Sequence, residues 1–423
     1  MNTRAEAFSE IVNQRRSRLD ELCRSLVHRQ LAALAQGRLS ITDWRGRREH
    51  GPGGTHVAEL SVSDSRFYRA LAFGGSLGAA EAYINGWWET PDLARLFRLF
   101  VVNPQCADGM DNGLARARVW LSRVGHHLRA NTQRGSRSNI TEHYDLGNDF
   151  FALMLDPTMT YSSGFYADPG ATLHDAQCAK LDRICDKLGL HEGHHVLEIG
   201  SGWGSFAIHA ARGYGCRVTT TTISRQQYQL AGERIATAGL GDRVDLLARD
   251  YRDLTGRYDR IVSIEMIEAV GHRFLPTYFG KIARLLKPGG AALIQAITTP
   301  DRRYHQYLRN PDFIQRYVFP GSCCPSLSAM VEAINAATDL KLTHLEDIGP
   351  HYARTLRDWR DNFRGHRERL RELGYTDRLL RLWDYYLCYC EAGYTEGYLG
   401  DLQIVLTKPR YSSGPEVKQA ADG

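Results

Sequence analysis

The sequence predicts an α/β protein: a Rossmann-like, mostly parallel sheet with a helical insertion, plus a smaller, mainly helical N-terminal domain. Three observations carry this. From about residue 190, strand-like runs (HHVLEIG, CRVTTTTI, RVDLLA, YDRIVSI, AALIQAI) alternate with helix-like ones, as a doubly wound sheet requires. The first of these strands runs into closely spaced glycines, Gly200, Gly202 and Gly204. The 423 residues also exceed one domain at ~150 residues each.

In chain order, residues 8–36 carry apolar side chains at helical spacing. ITDWRGRREHGPGGTHVAELSV reads as a hairpin around a Gly/Pro turn. Residues 65–128 are largely helical, with breaks near Gly74–Gly75 and Pro91. The polar stretch 131–140 is the expected linker between an N-terminal domain (1–130) and a sheet domain (141–410). In the latter, WGSFAIHAARGYG, SRQQYQLAGERIATAG and RFLPTYFGKIARLLKPGG are the connecting helices. Residues 300–400 read as the helical insertion, DLQIVLTKP as the final strand, and 411–423 as a tail.

Composition narrows the function. No run supplies the ~20 apolar residues of a membrane span, and MNTRAEAFSEIVNQRRSRLDEL lacks the apolar centre of a secretory signal. Nine cysteines without CxxC pairs point to reduced thiols in the cytoplasm and to no metal site. Residues 1–140 hold 20 Arg, no Lys and 13 acids, whereas the remainder holds 33 basic and 35 acidic residues. A basic region on a neutral enzyme suggests a polyanionic partner, an acidic lipid surface or nucleic acid.

The glycine turn allows a sharp strand-to-helix reversal and close approach of a ligand to the backbone. Dinucleotide enzymes use a similar loop, but three details favour S-adenosylmethionine. The spacing is ExGxGxG; Glu198 precedes the glycines, near where an amino group would lie; and Asp250-Tyr251 offers a carboxylate for adenine N6 and a ring for the base. The second strand ends without an acid for ribose hydroxyls, so Gln227 is the expected substitute.

Several strings together resemble the cyclopropane-fatty-acid-phospholipid synthase family, including the mycolic-acid cyclopropane synthases. They are EHYDLGNDFFALMLDPTMTYSSGFY (142–166), VLEIGSGWGSFAIHAA (196–211), TISRQQ (222–227), RDYRDL (249–254), YDRIVSIEMIEAVG (258–271), YVFPGS (317–322) and GYLGDLQIVLTKP (397–409). GSLGAAEAYINGWWETPDL (75–93) is similar to the N-terminal domain of longer bacterial members. The resemblance implies a Rossmann-like class I methyltransferase fold, its last strand antiparallel, and S-adenosylmethionine as donor. It places Tyr161 and Ser162 at the methionine moiety, Gly200 and Gly202 beneath it, Thr222, Ile223 and Gln227 around the ribose, and Tyr251 beside the adenine. In the cyclopropane-forming members a bicarbonate ion is the base, held by Cys, Glu, His, a backbone group beside Ile, and Tyr. Here those positions carry Ser163, Glu268, Gln295, Ile297 and Tyr352.

Two of the five differ from the family, and neither Ser nor Gln offers the positive charge available to His. Ala269 stands where many members have His, and Glu265 where many have Gly. If Glu265 or Glu268 projects into the site, a protein carboxylate replaces bicarbonate as base. His143 is a further candidate for binding a phosphate or the site anion.

The reaction implied is carbon transfer to the double bond of an unsaturated acyl chain in a membrane phospholipid. An alkene is a poor nucleophile and needs in-line placement against the sulfonium. The carbocation that follows needs a dry pocket faced by aromatic rings. Proton loss with ring closure gives a cyclopropane; a hydride shift first gives a methylene-branched chain, which a separate reductase converts to a methyl branch. Methylation of a small metabolite is the further alternative. Partners then are an unsaturated phospholipid in an anionic membrane, with a homodimer left open. Nucleic acid is not expected, since no NPPY-like loop or zinc ribbon occurs. The implied location is cytoplasmic, peripheral on the inner membrane face.

Overall fold

The computed structural model describes residues 17–111 and 146–411. They fall into two compact units: residues 17–111 with 305–320 and 356–398, and residues 146–304 with 321–355 and 399–411. The expected linker, His143 and residues 412–423 lie outside the described residues.

The first unit opens with the helix Arg18–Leu31, begun by a reciprocal cap in which Ser17 and Asp20 each accept the other's backbone N–H. Strands β1 (Gly37–Asp43), β2 (Gly46–Gly53), β3 (Val57–Val62) and, after the helix Arg66–Ile84, β4 (Trp88–Glu89) make a sheet ordered β2-β1-β3-β4. The hairpin turn is at Trp44–Arg45, not at the Gly/Pro stretch, because Gly46 supplies a positive φ of 99° at the end of the turn. The Gly/Pro residues lead instead to β3, which pairs parallel to β1. The helix Arg66–Ile84 breaks at Gly75, whose φ of 55° is non-helical.

The insertion expected over 300–400 is not one body. Segments 305–320 and 356–398 cluster with the N-terminal residues, 321–355 with the large sheet. Aromatic packing explains this: Tyr385 meets Tyr83, Phe97 and Phe313 at centroid distances of 5.6, 4.7 and 4.6 Å. Buried Asp384 accepts hydrogen bonds from Tyr83 Oη and Arg364 Nε. Trp88 also belongs to this core, its indole N–H donating to the Ala79 carbonyl.

In the second unit, strands β5 (His195–Ile199), β6 (Arg217–Thr221), β7 (Val244–Leu247), β8 (Tyr258–Ile264), β9 (Leu286–Thr298), β10 (Lys341–Asp347) and β11 (Gly400–Thr407) form one sheet ordered β10-β11-β9-β8-β5-β6-β7. Strands β5 to β9 pair in parallel, and the final strand β11 runs antiparallel to both β9 and β10. Strand β10 lies in the stretch expected to be helical. The strand order reverses between β5 and β8, so their carboxyl ends form the switch point at which such sheets bind ligands. Among the described residues no helix is long and apolar enough to cross a membrane.

Candidate active site

Buried β5 delivers the glycine loop. Gly200, Gly202 and Gly204 have φ of 97°, 49° and 87°, and the Gly200 and Ser201 N–H groups donate to the Thr221 carbonyl. A Cβ added at Gly202 would meet nothing within 4 Å, so one side of the loop faces open space. That is the cradle a nucleoside-bearing ligand needs. Glu198, at the end of β5, accepts a hydrogen bond from Thr220 Oγ1 at 2.5 Å, and burial pushes its carboxyl up to about 8.

After β6, Thr222 Oγ1 donates to Gln227 Oε1 at 2.8 Å, with Ser224 capping the helix Arg225–Thr237 and Ile223 half-buried between them. After β7, both Asp250 oxygens accept from Arg252, through its backbone N–H, Nε and Nη2. Tyr251 packs edge-on against Tyr278. The Asp250 carboxylate expected to meet an adenine is thus already in a bidentate ion pair, and a base binding there must share it. Tyr161 is half-buried, its ring 5.3 Å from that of Phe151. Ser162 is fixed twice by the helix Leu173–Lys187: Gln177 Nε2 donates to its carbonyl and Lys180 Nζ to its Oγ, at 2.8 and 2.6 Å.

The second half of the site lies past the ends of β8 and β9. Glu265 follows β8 with φ 47°, and its backbone N–H donates to the Gln295 carbonyl. Its carboxylate collects three donors. Ser163 N–H and Gln295 Nε2 reach Oε1, each at 2.8 Å, and Tyr352 Oη reaches Oε2 at 2.6 Å. Glu268 sits in the one-turn 3₁₀ helix Ile267–Ala269 and accepts the Ile297 N–H at 2.6 Å on Oε1. Its Oε2 is buried with no hydrogen-bond partner.

Bicarbonate fails the fit. The Ser163, Gln295 and Tyr352 positions assigned to it serve Glu265, and the Ile297 N–H serves Glu268. Ser163 takes part through its backbone, its hydroxyl turning to the Gly164 carbonyl. The Ser163 hydroxyl is therefore not what this loop presents to the position assigned to the ion.

Three residues that the sequence did not single out complete the cluster. Asp401, at the start of β11, accepts the second Gln295 Nε2 hydrogen at 2.9 Å. Gln403 Nε2 donates to Gln295 Oε1 at 3.1 Å. Lys180 is wholly buried, its ammonium pushed down to about 8 by burial and held up against that by Glu265 and Asp401. Desolvation raises Glu265 above the usual carboxylate range, against the hydrogen bonds of Tyr352 and Ser163. Burial, then the charge of Glu265, pushes Glu268 up to about 8. Asp401 is raised well above the usual carboxylate range, by burial and then by the same two carboxylates. With one buried ammonium beside three carboxylates, the carboxylate with most donors keeps the negative charge, and that is Glu265. Glu265 is also only half-buried, whereas Glu268 Oε2 has no accessible surface.

The sequence model of the mycolic acid cyclopropane synthetase family matches residues 131–404. The chain belongs to that family. Within reach of it is a tuberculostearic acid methyltransferase, UfaA1, of Mycobacterium tuberculosis, 40% identical over 351 residues and covering 80% of this chain and 81% of that protein. A cyclopropane-fatty-acyl-phospholipid synthase of Escherichia coli is 34% identical over 357 residues, 84% of this chain and 89% of that one. Among solved structures, mycolic acid cyclopropane synthase CmaA1, complexed with SAH and CTAB, superposes with a TM-score of 0.60 at 30% identity, covering 64% of this chain and 98% of that one. Coclaurine N-methyltransferase, at 19% identity and a TM-score of 0.58, shares the class I methyltransferase fold alone.

Proposed function

We propose that this family member, an S-adenosylmethionine-dependent methyltransferase acting on lipid, transfers the donated carbon to the double bond of an unsaturated phospholipid acyl chain, with Glu265 as base. The observation that carries this reading is the engagement of Glu265 by Ser163 N–H, Gln295 Nε2 and Tyr352 Oη.

When bound, S-adenosylmethionine supplies an electrophilic methyl group. The glycine loop, Tyr161, Ser162, Thr222, Ile223, Gln227 and Tyr251 orient it. Attack by the alkene leaves a cation on the neighbouring chain carbon. Glu265 then accepts a proton from the added methyl; ring closure in the same event gives the cyclopropane. The three hydrogen bonds take back part of the basicity that burial gives the Glu265 carboxylate. This leaves time for hydride to shift from the methyl-bearing carbon, and proton loss from the methyl then gives the methylene-branched chain. We favour this branched product, and the relative named for tuberculostearic acid methylation supports it. The cyclopropane remains the second reading, supported by the family, by the relative named as cyclopropane synthase and by the retained Glu268 and Tyr352.

The Arg-rich N-terminal region is the proposed contact with an anionic membrane. Between residues 17 and 111, however, 11 Arg face 11 acids, so the basic excess lies in 1–16 and 112–140. Several of the described arginines are paired, Arg45 with Glu21 and Arg66 with Asp64 among them.

The two products are isomers, so mass alone does not separate them. Proton NMR of acyl chains made by the purified enzyme does: a vinylidene signal supports the branched product, a high-field ring signal the cyclopropane. Neither signal, with turnover of S-adenosylmethionine on a small amine instead, would refute the lipid reading.

A further inference from the structure

Gln295 gives both Nε2 hydrogens to carboxylates, Glu265 Oε1 and Asp401 Oδ2. An amide placed the other way would turn a carbonyl oxygen toward the charged Glu265 carboxylate, so something must set its direction. Gln403 lies directly opposite Gln295 across the β9–β11 pair and is, like it, completely buried. Its Nε2 donates to Gln295 Oε1, and its own Oε1 accepts from Lys187 Nζ at 2.5 Å. An ammonium has donors only, so it can face only the oxygen of Gln403. That forces Gln403 Nε2 inward onto Gln295 Oε1, and Gln295 Nε2 inward onto the carboxylates. Lys187 is anchored in turn by Glu346, which Arg183 also pairs, and His344 lies beside them.

We propose that Gln403, oriented by Lys187, is a positioning residue that fixes the donor face of Gln295 toward Glu265. The inference rests on the reading of Glu265 as base. Its physical content is a one-way chain of hydrogen bonds, Lys187 to Gln403 to Gln295 to Glu265, running from the partly exposed Lys187 to the base. The groups facing Glu265 are otherwise Tyr352, Lys180, Asp401 and Glu268. Reversing the chain removes a donor from Glu265 and favours its neutral form. The base then ionises at higher pH, so the ascending limb of activity moves up.

The test uses full-length enzyme on phospholipid vesicles, with kcat and KM measured against pH. In Gln403→Glu the introduced carboxylate accepts from Lys187 but has nothing to donate to Gln295, whose amide turns. In Lys187→Met the anchor is lost, and this less buried position keeps the test available should the first variant not fold. Both should move the ascending limb of kcat up by about one pH unit, the scale of one charge-assisted hydrogen bond, with donor KM within about twofold of wild type. Lys187→Arg, still a pure donor, should restore the wild-type limb. Limbs unmoved in both folded variants overturn the proposal. Glu265→Gln separates the two levels: full activity there removes the reading of the base itself, whereas an inactive Glu265→Gln with unmoved limbs removes only the positioning role.

Discussion

Tyr352 donates its hydroxyl hydrogen to Glu265 Oε2 across 2.6 Å, while the other oxygen of that carboxylate is held by Ser163 and Gln295. A side chain thereby fills the donor set in which cyclopropane-forming relatives are expected to hold an ion. Glu265→Gly would empty that set and also suit the left-handed backbone. This variant should lose about 100-fold in kcat, the usual scale for a missing general base, in bicarbonate-depleted buffer. Added bicarbonate should return part of the activity, and wild type should be indifferent to it. Strong stimulation of wild type by bicarbonate would show that the ion, not Glu265, takes the proton.

A pH effect on folding follows from Glu198 and Glu268, each pushed up to about 8 chiefly by burial. Below about pH 4.5 both folded and unfolded chains hold these protons. Between there and about pH 8 the unfolded chain has lost them while the native protein keeps them, so stability falls as pH rises through this window. The Tm of ligand-free protein should therefore decline from pH 5.5 to pH 8 and then level, and Glu198→Gln with Glu268→Gln should flatten the decline. An equal slope in the double variant would assign the effect elsewhere.

At the glycine loop, Gly202→Ala places a methyl on the open side and forces a non-glycine residue to φ 49°. The backbone cost is about 1 kcal/mol, small enough for the fold to survive. S-adenosylmethionine affinity, measured calorimetrically, should drop at least about tenfold, because the methyl stands where the ligand approaches the chain. Unchanged affinity in the folded variant would move the donor site away from this loop.

Membrane attachment should depend on the arginines beyond residue 111. Arg116, Arg118, Arg123 and Arg129 changed together to Gln should weaken binding to anionic vesicles and flatten its salt dependence. The same number of changes within 17–111, where acids balance the arginines, should do less. Equal losses from the two sets in a sedimentation assay would argue against this placement.

Much of the fold was legible because its signals are local: alternating strands and helices, glycines at a strand end, and the break at Gly75. The partnership of segments 305–320 and 356–398 with the N-terminal unit was not, since it rests on rings such as Tyr83 and Tyr385 that are 302 residues apart. Within the site, Glu265 stood out as an acid where Gly is common, yet spacing could not say where it points. A left-handed residue followed by a single 3₁₀ turn brings both acids to one place, a geometry neither regular helix nor strand provides. Lys180 and Gln177 carried a signal that went unread. They interrupt an otherwise apolar buried face at Leu173, Ala176, Leu181 and Ile184. Asp401 and Gln403 alternate with Leu402 and Ile404 like a solvent-facing strand, but β11 is flanked on both sides and its polar row is enclosed.

Glu265 occupies backbone that glycine adopts at no cost, at a position where the family resemblance leads one to expect glycine. Exchanging one for the other needs no rebuilding of the chain on either side, only the gain or loss of a side chain. If Glu265 is the base, as proposed, a single codon change decides whether this loop carries its own proton acceptor or leaves the place open for a dissolved one.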